Sequence, residues 1–169
     1  MTRATAIAAR AELERTSSPH ALLAFMTITH PALAEPLRVV SDAMDYTFGG
    51  ALFIGMPFGL DLLPDSDATA TTQLRMQNVD RRIGQALRSM TGRATVQLQL
   101  MSSVDFDLTQ DPRTEIGSAA QIYGFAHFSL RNVTVNATEV TGEVIFHDYS
   151  TEPFPHIRAT QDRLPGLFR

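Results

Sequence analysis

Carboxylates are the most concentrated reactive side chains of this sequence. Four of them, Asp105, Asp107, Asp111 and Glu115, lie in the polar stretch Ser102–Gln121. Asp105 and Asp107 alternate and would face the same side of a strand end, where two carboxylates are able to bind Ca²⁺ or to exchange protons. The regular ligand spacing and closing Glu of a calcium loop are absent, so a long, solvated acidic contact loop is the favoured interpretation.

The histidines do not form a recognisable site. None has the H-x-x-x-H spacing of a zinc-binding helix, which favours structural or surface roles for His20, His30, His127, His147 and His156. The chain has no cysteine, which excludes disulfides, thiolate metal sites and cysteine nucleophiles. It also lacks a G-x-S-x-G elbow and a glycine-rich phosphate loop. The sequence therefore predicts no enzyme activity, no cofactor and no metal.

Composition is that of an ordinary soluble protein. With 169 residues, 44% of them hydrophobic and 19% charged, the chain is long enough for one domain with a proper core. A net charge of −4 argues against a protein whose main task is to coat nucleic acid. No apolar run is long enough to span a bilayer, and the N-terminus lacks the apolar segment of a secretory signal. We therefore expect no membrane partner.

The stretch Thr72–Met101 predicts a strand, a helix and a second strand. Period-two alternation of apolar residues at both ends is typical of half-buried strands. Between them, apolar residues recur at spacings of three and four, which predicts a helix. We expect Asn78 as its N-cap, Asp80 as a favourable charge in its first turn, and Gly92 at its C-terminus.

The remaining elements are mostly strands. A helix is predicted at Thr2–Thr16, and Gly49–Gly50 is expected to interrupt a strand-forming region as a turn or bulge. Other strands are predicted at residues 22–30, 37–40, 46–58, 122–128, 129–135 and 140–149. The predicted fold class is α+β and mainly β. We divide this single domain into an N-terminal helix and linker (1–19), a β-rich core (20–151) and a C-terminal arm (152–169).

The C-terminal arm combines three prolines with several apolar residues. Proline excludes a regular helix or a central strand, while the apolar content argues against a disordered tail. An extended arm must then lie on its own domain or on a neighbouring subunit, and the sequence favours neither. The residues predicted to form a subunit interface are Pro153, Phe154, Pro155, Ile157, Arg158, Leu164, Leu167 and Phe168.

Four segments, in order, carry a resemblance to a known family. They are THPAL with EPLRVVSD within Thr29–Asp42, QNVDR at Gln77–Arg81, EPFPHIRAT at Glu152–Thr160, and LPGLF at Leu164–Phe168. Together they resemble a tailed-bacteriophage family long labelled a domain of unknown function, whose genes follow the tape-measure gene. The resemblance covers most of the chain after the first helix.

This resemblance implies a structural virion protein at the distal end or tip of a tail, made in the host cytoplasm. It implies a tail-tube-like β-barrel or sandwich with an inserted helix. The expected partners are further copies in a ring, with a hexamer favoured over a trimer, and the neighbouring tail tube, hub or tape-measure proteins; DNA would only pass through. The alternatives are a receptor- or carbohydrate-binding β-domain of the tail tip and, less favoured, a tail-associated hydrolase.

Overall fold

The computed structural model describes residues 14–60, 71–77 and 92–146, together with the single positions Gln85, Leu87, Arg88, Arg163 and Gly166. Strands dominate, and a 3-10 turn at Ser103–Asp105 follows one of them. The strands are β1 Leu22–Thr29, β2 Leu37–Val40, β3 Tyr46–Phe48, β4 Ala51–Gly55, β5 Phe58–Leu60, β6 Thr71–Gln77, β7 Ala94–Ser102, β8 Phe106–Asp107, β9 Arg113–Glu115, β10 Tyr123–Val135 and β11 Glu139–Phe146.

These strands form one mixed sheet in the order β5–β6–β11–β10–β7–β1–β2–β4–β3–β9–β8. From β5 to β2 every neighbouring pair is antiparallel, whereas β2 with β4 and β3 with β9 are parallel. β1 pairs with β7 along its whole length, with Leu22 opposite Ser102 and Thr29 opposite Thr95. The long antiparallel part is the body of the molecule. We call β3, β4, β8 and β9 the small subsheet.

Most strand predictions are confirmed. β1, β2, β6 and β7 lie where the alternation placed them, and Gly49 and Gly50 form the turn between β3 and β4, both with positive φ. The predicted strands at 122–128 and 129–135 are instead one strand, β10. Its pairing register shifts between Phe125 and Phe128 and again between Arg131 and Thr134, and these bulges break the sequence alternation.

The larger hydrophobic core lies on one face of the antiparallel body. Every second side chain of β6 and most of β7 points into it, so that Leu74, Met76, Val96 and Leu98 are buried while the intervening residues Gln73, Arg75, Thr95 and Gln97 are exposed. Met26 of β1, Val144 of β11 and Leu87 belong to the same cluster. We call it the large core. Its polar opposite face is typical of an antiparallel sheet with one solvated side.

A second core occupies the opposite face of β1, where the small subsheet folds over it. Phe25 is at its centre, with ring centroids 5.7 Å from Tyr46, 5.1 Å from Phe53 and 5.3 Å from Phe106. Leu23, Val40 and Met101 complete it. We call it the aromatic core. Because Phe25 and Met26 face opposite cores, β1 is buried on both sides.

Of the β-barrel or sandwich that the resemblance implied, the closed barrel is wrong, because the sheet of the described residues is open at β5 and β8. Both edges of β4 are occupied, by β2 on one side and β3 on the other, so the sheet continues into the small subsheet instead of closing on β5. The segment between β4 and β5 also contacts β2. Met56 N donates to Val40 O (2.9 Å), and two residues later Phe58 pairs with Met76.

The α+β class is also corrected, since the described residues contain no complete α-helix and the protein is mainly β. Of the predicted N-terminal helix, Glu14–Thr16 are described and are not helical, while the rest lies outside the described residues. Of the predicted inserted helix, Gln85, Leu87 and Arg88 have helical backbone, and the rest, apart from Gly92, lies outside them as well. No described helix has the length and apolar character needed to cross a bilayer.

Candidate assembly surface

The predicted interface and capping residues cannot be placed. Pro153, Phe154, Pro155, Ile157, Arg158, Leu164, Leu167 and Phe168 of the arm, and the caps Asn78 and Asp80, all lie outside the described residues. They remain predictions. The other predicted contact segment, the acidic stretch Ser102–Gln121, is described throughout.

This acidic stretch is a folded element, not the mobile loop that the sequence suggested. Ser102 Oγ accepts a hydrogen bond from Val104 N (3.4 Å) and caps the 3-10 turn. Ser103 Oγ accepts one from Ala21 N (3.0 Å), which fixes the turn to the start of β1. β8 and β9 then form an antiparallel pair. The stretch is therefore held at its start and along its middle.

A partly buried polar cluster joins this stretch to the rest of the small subsheet. Tyr46 and Arg113 are opposite each other in the parallel β3–β9 pair, and Asp42 lies in the turn before β3. The Tyr46 hydroxyl donates to Asp42 Oδ2 (2.6 Å), while Arg113 Nη1 donates to Asp42 Oδ2 and to the Tyr46 hydroxyl (2.7 Å each). The Arg113 guanidinium carbon also lies 5.4 Å from the centroid of the Tyr46 ring.

The electrostatics of this cluster are those of a structural ion pair. Burial raises the pKa of Tyr46, and the hydrogen bond to the Asp42 carboxylate raises it further. The hydrogen bond with Tyr46 raises the pKa of Arg113. Tyr46 thus remains a neutral donor and Arg113 a cation near neutral pH, so neither acts as a base or nucleophile. Arg113 Nε is buried without a hydrogen-bond partner, which partly offsets the gain from Nη1.

The anchored stretch presents aliphatic side chains to solvent. Val104, Leu108 and Ile116 are 52%, 48% and 61% exposed. Val104 and Ile116 lie on adjacent chain segments, because Ile116 N donates to the carbonyl of Asp105 (2.8 Å). Exposed aliphatic residues are ordinary when scattered, but three within residues 104–116 suggest a contact region. We call the exposed side of residues 104–116 the loop surface.

The predicted carboxylates surround this loop surface without forming a metal site. Asp105 Oδ2 accepts a hydrogen bond from Ala120 N (3.0 Å). Asp107 Oδ1 accepts two from Thr109, and these bonds lower the pKa of Asp107. No group of three His, Asp or Glu residues suited to a metal ion is found among the described residues. Asp105 and Asp107 therefore accept hydrogen bonds from nearby residues of the same stretch and leave negative charge at the surface.

Histidine placement agrees with a structural role in one case. His30 is buried, and its Nδ1 accepts a hydrogen bond from Ala32 N (3.0 Å) in the turn after β1. His147 and His156 lie outside the described residues. Sequence reasoning missed the Asp42–Tyr46–Arg113 cluster altogether. Asp42 and Tyr46 are close in sequence, but Arg113 is 67 residues after Tyr46 and reaches them through the parallel β3–β9 pairing, so spacing carried no signal for the cluster.

The comparison with protein families identifies the chain's relatives. Residues 8–159 match the family described as Domain of unknown function (DUF1833), and the chain belongs to this family. No curated protein matches the chain. The match extends over the body of the sheet, the small subsheet and the loop surface, so these features all fall within the family domain.

Proposed function

We propose that this protein is a structural component of the tail of a bacteriophage or phage-like particle, where copies of it form a ring near the distal end. Its role is assembly through protein–protein contacts, and DNA only passes the ring. Six subunits are favoured over three. The neighbours would be tail tube, hub or tape-measure proteins.

The observation that carries this proposal is the anchored loop surface. A surface that presents aliphatic side chains from a segment fixed by the Asp42–Tyr46–Arg113 cluster loses little conformational entropy when a partner binds. Permanent protein–protein contacts rely on such pre-formed apolar patches with a polar rim. Carboxylates at Asp107 and Glu115 supply that rim.

Further support comes from the segments that resemble tail proteins. Thr29–Asp42 contains the end of β1, the turn with His30 and all of β2, and it ends on the Asp42 carboxylate that anchors Arg113. These residues therefore serve the body and the loop surface at once. We further propose that the arm 152–169 crosses to a neighbouring copy, because its apolar, proline-rich composition suits an extended contact.

The receptor-binding alternative would draw on exposed aromatic side chains. Among the described residues, Tyr123 is the large aromatic that is exposed, at 39%, and its ring lies 4.8 Å from that of Phe125. A single platform of this kind gives weaker support than the loop surface does. Assembly is therefore the preferred function.

The test combines the isolated protein with the particle. Light scattering coupled to size-exclusion chromatography should give one closed oligomer for the full-length protein, and negative-stain microscopy should show rings. Deleting the gene should give tails that lack their distal end, and a plasmid copy should restore them, whereas a copy lacking residues 152–169 should not. Monomers at every concentration, together with normal infectious tails in the deletion strain, would contradict the proposal.

A further inference from the structure

The end of the sheet opposite the loop surface carries a cavity of about 480 Å³. It lies between β5, β6 and the start of β11. Pro57, Phe58 and Met76 give it apolar walls, and Arg75 and Glu139 also line it. The Arg75 side chain is exposed and donates a hydrogen bond to Gln73 Oε1 (3.2 Å), and it forms no ion pair with a carboxylate of the described residues.

The loop surface and this cavity have complementary chemistry. The first presents aliphatic side chains flanked by the carboxylates of Asp107 and Glu115, and the second has apolar walls beside the guanidinium of Arg75. Burying an aliphatic side chain removes apolar surface from water, while the opposite charges favour one orientation. Glu139 would repel a loop-surface carboxylate placed next to it, so fewer orientations of the docked loop surface are favourable.

The two surfaces cannot be partners within one chain as it is folded. They belong to strands at opposite ends of the strand order, β8–β9 and β5–β6. Ile116 is 61% exposed, so the cavity of its own chain does not cover it. Every copy carries both the loop surface and the cavity, so a second copy of the chain provides the matching surface. Repetition of one such head-to-tail contact closes into a ring when the rotation between copies allows it.

We propose that the loop surface of one copy docks into the β5–β6 cavity of the next, with Ile116 against Pro57 and Phe58 and with Asp107 or Glu115 facing Arg75. This contact rests on the proposed ring and names the two surfaces that build it. It differs from the arm contact, because it requires no residue after Phe146.

The absence of cysteine allows a clean crosslinking test. Ser118→Cys lies beside the loop surface and Gln77→Cys beside the cavity, and both positions are exposed. Under mild oxidation the double variant should give a ladder of covalent oligomers in non-reducing gels, while each single variant gives dimers at most. Ser118→Cys with Gln97→Cys, on the exposed face of β7, is the matched control and should give no ladder.

A second test removes the contact without new thiols. Ile116→Arg should raise the concentration needed for assembly roughly tenfold or more, since it places a cation and a longer side chain in the interface. Leu52→Arg, at a position that is 51% exposed on β4, is the control and should assemble normally. Rings that form with no Ser118–Gln77 ladder and no effect of Ile116→Arg would overturn this contact and leave the proposed function standing. Failure of the wild-type chain to form oligomers would instead count against both.

Discussion

The large core and the aromatic core are built in different ways from the same central strand. The large core fills one face of an antiparallel sheet, and most of its side chains come from six strands. The aromatic core is smaller and lies under the short strands of the small subsheet. Three of these, β3, β4 and β9, are in parallel pairs, and one ion pair lies beside the core. Regular pairing stabilises the body, whereas the aromatic core positions the surface that we propose for assembly.

The largest expected effect comes from emptying either core at neighbouring residues of β1. Phe25→Ala should lower the free energy of unfolding by about 3–5 kcal/mol and Met26→Ala by about 2–5 kcal/mol, because both side chains are fully buried. Hydrogen exchange separates them: Phe25→Ala should speed exchange in β8 and β9 ahead of β6 and β11. Equal acceleration of both regions would mean that the two cores are one cooperative unit.

Gly55 tests how closely the small subsheet meets the chain that precedes it. An added Cβ would lie 2.5 Å from the backbone oxygen of Met44, and backbone atoms cannot yield as a side chain can. Gly55→Ala should therefore destabilise by about 1–3 kcal/mol in urea unfolding. Gly59→Ala, where an added Cβ has no neighbour within 4 Å, is the control and should be neutral or slightly stabilising. Similar losses for both variants would disprove the close approach as the cause.

Two ion pairs, one beside the aromatic core and one on β10 and β11, sharpen the comparison further. Arg113→Ala should lower the free energy of unfolding by about 1–3 kcal/mol, because it leaves the partly buried Asp42 carboxylate and Tyr46 hydroxyl without this donor. Arg131→Ala removes the exposed pair with Glu143 and should cost less than about 1 kcal/mol. Chemical denaturation measures both. A larger loss of unfolding free energy for Arg131→Ala would contradict this expectation. It would mean that the contact with Glu143 stabilises the β10 bulge more than the cluster stabilises β9.

The smallest expected effect is a pH dependence carried by Tyr46. Its raised pKa means that the folded protein keeps the phenolic proton more firmly than the unfolded chain does. This stabilisation is complete below the unfolded pKa near 10 and is lost as the pH rises through the higher folded value. Wild type should therefore lose stability more steeply than Tyr46→Phe above pH 10. At pH 8 the free energy of unfolding of the variant should be about 1 kcal/mol lower than that of wild type. Parallel pH profiles would show that Tyr46 is not the titrating group.

The sequence predicted the strands that follow from local residue patterns and missed the elements that depend on residues distant in the chain. The alternation in β6 and β7 follows from local side-chain order, so those strands were found correctly. β8 and β9 are two and three residues long and polar, and they exist because Phe106 enters the aromatic core and Arg113 meets Asp42. No local pattern encodes such partners. That the sheet stays open was equally hidden, since it depends on β3 pairing with the edge of β4.

The order of the strands also determines when this protein is able to fold. β6 pairs with β5 on one side, but its other edge is paired only once β11 has been synthesised. In that pair Gln77 lies opposite Glu139 and Thr71 opposite Ile145. β1 likewise waits for β7. While the chain is being synthesised, its first half therefore leaves the ribosome with apolar strands unpaired. Pairings this distant in sequence make folding slow, so aggregation competes with it until β11 has emerged.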